Sequence, residues 1–562
     1  MSSSGFTRAF CTRRRRRASG GCLGAQSVPA ARVAGVRRPG RIRKVSWERE
    51  IEGIRRRREL AREHGGAEAV AKHHARGRHT VRERIEALVD KESFREHGSV
   101  TGVSELDAQG ELVDFKPANA VVGVAKIDGR PVVVCGDDFT LRGAAYSPAG
   151  MQKAEHGDRL AARRRIPIVR MLEAGGASVS GVTGVKGRSG YDFVRDSTSN
   201  QVLLQARSSV PMVSAALGPV AGFAAARLVA SHFSVMTKDT AQVLTGGPVL
   251  VQRATGEKVS KEELGGAAVH GRSGVVDNVA NDEDEVWRQI RGFLSYLPSN
   301  AWELPPLTPC NDPIDRGEER LLTLVPRESR RAYKMRRLIE WVVDEGTFFE
   351  LTPGYGRTQI TGLARLNGRA VGVLANDPYV YGGSMTADGA QKVRRFVELC
   401  DNFHLPIVSI MDEPGFMIGT EAEKAGTIRY GMEAMFAVQQ SSVPWFTVVA
   451  RKSFGVAAGI HLGPGGIVVA WPSAQSGSMP LEGGVALAYG REIAEADDPD
   501  ARRQELEAEY AAAQSVFPRA EDFGVHDLID PRETRPQLCD WVEQVQHELS
   551  TQLGPRSYTP RP

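Results

Sequence analysis

The sequence of 562 residues is 41% hydrophobic and 25% charged, which excludes a fibrous or wholly disordered chain and indicates a globular protein of two or three domains. Its six cysteines are scattered without a C-x-x-C pair, which argues against a zinc ribbon, a redox motif or a disulfide scaffold and for a reducing compartment. The net charge of +5 is misleading, because residues 1–46 hold eleven arginines, one lysine and no acid, which leaves 61 basic against 68 acidic residues in the rest.

Residues 1–46 form a basic segment with three competing interpretations. An Arg- and Ser-rich stretch without acids fits an organellar transit peptide, which would place the protein in mitochondria. A run of like charge can also be a nucleic-acid-binding arm, although no aromatic platform or groove-reading motif accompanies it. The third interpretation is a disordered extension of a cytoplasmic protein. In each case we expect the folded chain to begin near Trp47.

The next segments predict helices and then a buried apolar stretch. "SWEREIEGIRRRRELAREH" predicts a charged amphipathic helix with Ser46 as its N-cap, and "HTVRERIEALVD" predicts a second helix capped by Thr80. Residues 209–226 are apolar enough to be considered as a membrane span. Their Ala, Gly, Ser and two Pro residues favour a buried segment instead, so no membrane partner is expected. Residues 310–326 are typical of a connection between two larger halves.

Those two halves repeat each other. "VVGVAKIDGRPVVV", residues 121–134, matches "ITGLARLNGRAVGV", residues 360–373, at six of fourteen positions and an offset of 239. Each stretch predicts two strands joined by Asp-Gly or Asn-Gly, the residues of a tight hairpin turn. The offset holds from 166–176 to 405–415 and becomes 233 from 208–226 to 441–459. We therefore predict an internal duplication.

A glycine turn follows the last apolar strand of each half. The duplication aligns Gly222 with Gly455, each at the point where the strand is expected to turn into a helix. In one interpretation, such a glycine has no role beyond allowing a helix to pack closely. Two of them at equivalent places favour a second interpretation, in which backbone N–H groups bind an oxygen that gains negative charge in a transition state.

Several motifs together resemble one enzyme family. They are "TVRERIEALVDKESFREHGS", the two hairpins, "SSVPMVSAALGPVAGF", "TGGPVLVQRATGEKVSKEELGGAAVH", "LPIVSIMDEPGFMIGTEAEKAGTIRYGMEAMFAV" and "VPWFTVVARKSFGVAAG". In this order they resemble the carboxyltransferase (beta) subunits of biotin-dependent acyl-CoA carboxylases, with propionyl-CoA and methylcrotonyl-CoA carboxylases as the nearest types. The resemblance covers about residues 47–550.

The resemblance implies an α/β fold made of two duplicated crotonase-like domains, each a ββα superhelix of the ClpP/crotonase type. We expect the first domain at 47–305 and the second at 306–550, preceded by the segment 1–46 and followed by a tail at 551–562. It also implies a homo-hexamer in which the catalytic cleft lies between domains of different subunits.

The resemblance further implies two oxyanion holes made of backbone N–H groups. One would hold the thioester oxygen of acyl-CoA as its α-carbon becomes an enolate, and the other the ureido oxygen of carboxybiotin. The residues implied for the holes are Gly222 and Phe223 in the first half and Gly455, Val456 and Ala457 in the second. The residues implied to bind the substrate are Gly175, Gly176, Ala177, Ala458 and Gly459. No metal is expected in this chain.

Biotin and its loading with ATP are expected on a partner. The sequence has no Ala-Met-Lys-Met biotinylation motif and no Gly-rich nucleotide loop ending in Gly-Lys. A biotin carboxylase and biotin carboxyl carrier (alpha) subunit is therefore the expected partner, and acyl-CoA the expected substrate.

The sequence departs from the family pattern near both holes. Gly-Phe and Gly-Val stand where the family usually has Gly-Gly, and small residues at Ala458 and Gly459 predict room for an acyl group larger than acetyl. The competing expectation is that Phe223 fills that room. Two other activities stay open, namely an acyl-CoA decarboxylase subunit and a crotonase-type hydratase or hydrolase that uses Glu173 or Glu413. A non-enzymatic alternative is nucleic-acid binding through the basic segment.

Overall fold

The computed structural model describes residues 46–562 except 146, 177–194 and 559. The basic segment up to residue 45 and Ala177 lie outside the described residues, so the interpretations of that segment stay predictions. Among the described residues, 46–52 and 53–562 are assigned to separate units. The predicted domain boundaries at 305/306 and 550/551 are not tested by this division and also stay predictions.

The described residues form α/β structure. Their strands are β1 Arg95–His97, β2 Gly102–Leu106, β3 Leu112–Pro117, β4 Ala120–Ile127, β5 Arg130–Asp137, β6 Ile168–Ala174, β7 Met212–Ala221, β8 Phe233–Thr237, β9 Gln242–Leu244, β10 Asn278–Ala280, β11 Phe349–Leu351, β12 Gln359–Leu366, β13 Arg369–Asn376, β14 Ile407–Glu413, β15 Trp445–Phe454, β16 Ile467–Ala470, β17 Gln475–Gly477 and β18 Asp527–Leu528.

The strands are connected mainly by helices. The α-helices of the described part are α1 Glu48–Arg62, α2 Ala67–His74, α3 Val81–Leu88, α4 Pro148–Arg164, α5 Arg195–Ser209, α6 Phe223–Val229, α7 Pro248–Thr255, α8 Lys261–Gly265, α9 Ala267–Ser273, α10 Glu283–Tyr296, α11 Leu321–Leu324, α12 Met335–Val342, α13 Ala387–Asn402, α14 Thr420–Lys424, α15 Thr427–Gln440, α16 Leu481–Glu495, α17 Pro499–Ala513, α18 Val516–Glu521, α19 Thr534–Gln544 and α20 Gln546–Thr551. Short 3-10 helices span Arg142–Ala144, Tyr381–Gly383, Val456–His461 and Pro531–Glu533.

The two large sheets have the same strand order. The first runs β1-β4-β5-β6-β7-β8-β10 with β9 beside β7, and the second runs β11-β12-β13-β14-β15-β16-β18 with β17 beside β15. In each sheet the first three strands are antiparallel and the later pairs are parallel. A separate ribbon pairs β2 with β3. The strand-for-strand match confirms the predicted duplication and the two-domain α/β fold class.

The strand registers repeat as well. Val133 pairs with Ile168 in the first sheet and Gly372 with Ile407 in the second, which preserves the offset of 239. Both sheets also break register one residue before the last residue of the central strand, at Glu173 in β6 and at Asp412 in β14. Glu173 is therefore the structural counterpart of Asp412, and not of Glu413.

Local sequence signals explain the two hairpin turns and the start of α3. Asp128-Gly129 has φ of 50° and 79°, and Asn367-Gly368 has φ of 50° and 77°, the left-handed pair that a two-residue hairpin turn requires. Thr80 caps α3 in a capping box with Glu83. The predicted hairpins and this capped helix are therefore confirmed.

The segment 209–226 lies in the protein interior as far as Val220. Most of it forms β7, whose residues up to Val220 are buried, as expected of a parallel strand covered on both faces. Within the described residues, we find no helix with the length and apolar character that crossing a membrane would require.

One apolar core runs through both halves. Phe233 of the first half stacks on Phe293 of α10, with ring centroids 4.7 Å apart, and meets Phe349 of the second half edge-on at 5.7 Å. Residues of both halves belong to this same buried cluster. The connection at 310–326 is irregular apart from α11, as expected of a segment between two halves.

Candidate functional site

The two predicted glycine turns have the same local structure. Gly222 joins β7 to α6 with φ 63° and ψ −126°, and Gly455 joins β15 to the 3-10 helix Val456–His461 with φ 64° and ψ −163°. Positive φ combined with such ψ values is reached readily only by glycine. Both turns therefore require the glycine that the sequence supplies.

A second glycine turn lies beside the first in each half. Gly176, which follows β6, has φ 89°, and its counterpart Gly415, which follows β14, has φ 120°. A Cβ built on Gly222 would lie 3.8 Å from the Cα of Gly176, and one built on Gly415 would lie 3.9 Å from the carbonyl oxygen of Phe454. The neighbouring Gly175 amide donates to the carbonyl of Gly143 at 2.9 Å. Each half thus brings two turns without side chains together.

The amides of the two turn glycines are already used by the fold. Gly222 N–H donates to the carbonyl of Leu244 in β9 at 3.2 Å, and Gly455 N–H donates to the carbonyl of Gly477 in β17 at 3.1 Å. The roles implied for Gly222 and Gly455 in the two oxyanion holes stay predictions. The first amides of a helix have no acceptor one turn back within it, and Val456 and Ala457 occupy such positions in their 3-10 helix.

The side chains after the glycines point outward. Phe223 is 39% and Val456 61% exposed, and neither residue is among those with positive φ. Replacing the family's second glycine with Phe or Val therefore does not strain the backbone here. Ala457, by contrast, is fully buried.

The predicted room at Gly459 is occupied. A Cβ on Gly459 would lie 2.7 Å from the terminal methyl of Met435, which projects from α15. Ala458 is buried in an apolar cluster with Met411 and Val449. The volume predicted from the small residues 458 and 459 is thus filled by a methionine from another helix, which no local sequence pattern indicates.

The candidate acid–base residues are engaged in the protein interior. Glu173 is fully buried and accepts from Arg84 Nη1 at 2.6 Å and Arg78 Nη1 at 3.0 Å. Glu413 is also fully buried, and it accepts from Asn376 Nδ2 and from the Gly415 amide, both at 2.9 Å. Burial raises the pKa of Glu413. These contacts give both carboxylates structural partners beside the glycine turns.

Sequence reasoning missed a matched pair of residues that holds the strand ends. Asp137, at the end of β5, accepts the Glu173 amide at 3.3 Å, and Asn376, at the end of β13, accepts the Asp412 amide at 2.9 Å. The duplication could have identified this pair, because Asp137 and Asn376 are separated by the same offset of 239 residues. Burial raises the pKa of Asp137 to about 6.

The raised pKa of Asp137 leads us to predict that the stability of the protein depends on pH. A folded-state pKa above the ordinary value of 3.8 means that the folded protein binds the extra proton, so stability is lost as pH rises from about 4 to about 6. Asp137→Asn, which copies the residue of the second half, is expected to remove that loss and to stabilise the protein by about 3 kcal/mol at pH 8. Urea unfolding at pH 4.5 and pH 8, at one protein concentration, measures this.

The second half supplies the matched control. Asn376→Asp should destabilise the protein at pH 8 and less at pH 4.5, because the new carboxylate would lie beside buried Glu413. An equal effect of Asp137→Asn at both pH values would contradict the prediction.

Comparisons with known proteins identify the family. The Carboxyl transferase domain family matches residues 72–555. The propionyl-CoA carboxylase carboxyltransferase subunit of Haloferax mediterranei is 34% identical over 90% of this chain and 98% of its own length. The methylmalonyl-CoA decarboxylase subunit alpha of Veillonella parvula is 34% identical over 85% and 92%.

A solved structure shares the fold along nearly the whole chain. It is the transcarboxylase 12S hexamer with methylmalonyl-coenzyme A and methylmalonic acid bound, which is 30% identical and superimposes with a TM-score of 0.80 over 92% of this chain and 98% of its own. The paired glycine turns, the duplicated sheets and these matches lead to one conclusion. The chain belongs to the carboxyl transferase domain family.

Proposed function

We propose that this chain is the carboxyltransferase subunit of a biotin-dependent acyl-CoA carboxylase, which moves a carboxyl group from carboxybiotin on a partner protein to an acyl-CoA. One observation carries the proposal, namely that each half has an equivalent pair of glycine turns with positive φ, at Gly176 and Gly222 in the first half and at Gly415 and Gly455 in the second. The carboxyltransferase relatives support it, as does the acyl-CoA in the transcarboxylase structure.

The residues of the turns would act through their backbone. In the first half, Gly222 and Phe223 would hold the thioester oxygen through their backbone while the α-carbon of the acyl-CoA loses its proton. Gly175, Gly176 and Ala177 would bind the substrate. The N–H groups stabilise the enolate because they are fixed before the charge develops. Carboxybiotin supplies the activated carboxyl group when its carrier is bound.

In the second half, the amides of Val456 and Ala457 would hold the ureido oxygen of carboxybiotin. The turn is open to a ligand, because Gly455 and Val456 are exposed and a Cβ on Gly455 would meet only the Ser478 carbonyl, at 3.3 Å. Ala458 and Gly459 would back the acyl end of the site, with Met435 limiting its depth.

The buried carboxylates argue against a hydratase or hydrolase. Such an enzyme would need Glu173 to exchange protons with its substrate, but two arginines hold this carboxylate in the interior. The carboxylate is fully buried, so it has no exposed surface through which to reach a substrate. Glu173 therefore fits a positioning role better than a catalytic one.

An acyl-CoA decarboxylase subunit is the second candidate. It is favoured by the Veillonella parvula relative, whose name gives that activity. The same oxyanion holes would serve the transfer in the opposite direction, from a malonyl-type CoA to biotin. Which direction operates depends on the partner that carries biotin.

The assembly follows the same relatives. We propose a homo-hexamer, in line with the hexameric transcarboxylase structure, and a biotin carboxylase and carrier (alpha) subunit as the partner. Cleft formation between neighbouring copies would then bring the first-half turns of one subunit opposite the second-half turns of another.

Reconstitution tests this division of labour. The purified chain alone should not fix bicarbonate with ATP and any acyl-CoA, and it should do so once a cognate biotinylated partner is added. Labelled bicarbonate with a panel of acyl-CoAs measures this and identifies the substrate. Partner pretreated with avidin is the control and should give no fixation. Bicarbonate fixation by the isolated chain would contradict the proposal.

A further inference from the structure

A polar cavity lies between the two halves, away from the glycine turns. Its volume is about 160 Å³, which is enough for several water-sized groups. The first half contributes His232 and Asp277 to its wall, and the second half contributes Lys392, Arg394 and Arg395. Because both halves line it, a ligand bound there would contact both.

The wall carries more positive than negative charge. Among the lining residues named above, three are cationic and one is acidic. Arg395 pairs with Asp277, while Arg394 reaches Glu433 through Nη1 at 2.9 Å. Lys392 Nζ donates to the carbonyls of Thr352 and Gln359 at 2.9 and 2.8 Å, which uses two of its three protons.

Two further donors of this wall make no well-formed hydrogen bond in the described part of the chain. His232 Nδ1 accepts from the Met212 amide at 3.0 Å, so the proton of the neutral ring lies on Nε2. His232 is 5% exposed, and its Nε2 makes no well-formed hydrogen bond among the described residues, although the Arg207 carbonyl lies close enough to the ring to oppose the lowering of its pKa. Arg394 Nε is likewise buried without such a bond. Buried donors without acceptors are rare and call for a ligand or water.

We propose that this cavity binds a small oxyanion of the sulfate, phosphate or carboxylate class. Its oxygens would accept hydrogen bonds from His232 Nε2, Arg394 Nε and the third proton of Lys392. Since these donors come from both halves, the bound anion would stabilise the junction between them. The site is separate from the oxyanion holes, and the proposal does not depend on the activity of the enzyme.

Thermal unfolding of the full chain in sodium sulfate tests the proposal. At matched ionic strength, sulfate should raise the unfolding midpoint above its value in sodium chloride, and the rise should saturate. Arg394→Met and Lys392→Met should each weaken the apparent affinity for sulfate about tenfold, the loss of one charged hydrogen bond. Arg163→Met, which removes an exposed arginine of α4, should leave it unchanged. Parallel titrations with phosphate and succinate decide between a tetrahedral anion and a carboxylate.

The pH dependence of wild-type binding provides a test without variants. Burial lowers the pKa of Lys392 to about 7, and the positive charge of Arg336 contributes to this lowering. The nearby carboxylates Glu350, Asp377 and Asp277 raise it, but by less than burial lowers it. Sulfate keeps its charge between pH 6 and pH 8.5, and His232 stays neutral there because burial and neighbouring arginines lower its pKa well below 6.5. Sulfate affinity should therefore fall as pH rises through about 7. An unsaturable rise in midpoint, or the same rise in both variants, would overturn the proposal, since general salt exclusion would explain it.

Discussion

Replacing Gly455 with alanine is expected to lower the carboxyl-transfer rate by about 10²–10³, the loss seen when one oxyanion donor is removed. An alanine at φ 64° and ψ −163° is strained, and its Cβ would approach the Ser478 carbonyl to 3.3 Å. The turn must shift to relieve this, and the shift moves the amides of Val456 and Ala457 away from the ureido oxygen. Steady-state rates with the biotinylated partner measure the loss.

A matched control separates the site from the backbone effect. Gly465 has φ 63°, and a Cβ added to it would meet nothing within 4 Å. Gly465→Ala therefore imposes a positive φ on alanine outside the site and should retain nearly full activity. Gly222→Ala should lower the overall transfer rate by as much as Gly455→Ala does. The affected step should differ, however: Gly222→Ala should slow α-proton exchange of the acyl-CoA, whereas Gly455→Ala should slow carboxybiotin breakdown. Equal losses from Gly465→Ala and Gly455→Ala would refute the oxyanion role.

Replacing Arg84 with methionine should destabilise the protein by about 3–5 kcal/mol, the typical result of removing one partner of a buried ion pair. Arg84 is 2% exposed and binds both Glu173 and Glu283. The substitution leaves two buried carboxylates with reduced compensation. Urea unfolding at pH 7 measures the change.

The control for this substitution is an exposed pair. Arg56→Met removes an arginine that lies 3.4 Å from Glu59 on the surface, and its effect should stay below about 1 kcal/mol. A loss of similar size from both variants would show that the buried network contributes little.

Glu173→Gln then separates a structural carboxylate from a catalytic one. We expect reduced stability with little change in the rate constant of the enzyme that remains folded. A variant of unchanged stability and abolished activity would instead support a crotonase-type hydratase or hydrolase.

Much of the fold could be predicted because its signals are local. Asp-Gly and Asn-Gly specify hairpin turns through their own backbone preferences. Because the sequence is duplicated, an element predicted in one half also supported the prediction of the same element in the other half. Gly222 and Gly455 were identified in the same way, since the need for positive φ is a property of one residue. These features depend on neighbours in the sequence.

The features that could not be predicted depend on distant partners. The bond from the Gly222 amide to Leu244 exists only because β9 lies beside β7. The methionine at Gly459 comes from a helix twenty-four residues earlier, and Glu173 meets an arginine of α3. Register, rather than composition, matched Glu173 with Asp412. Such pairings require the packed chain.

The aromatic cluster of Phe233, Phe293 and Phe349 has a consequence for folding. Because it draws on both halves, neither half can bury its own rings alone, although each has a complete sheet. The chain should therefore unfold in one cooperative step and not as two successive domains. A fragment cut at the connection would expose these rings and aggregate.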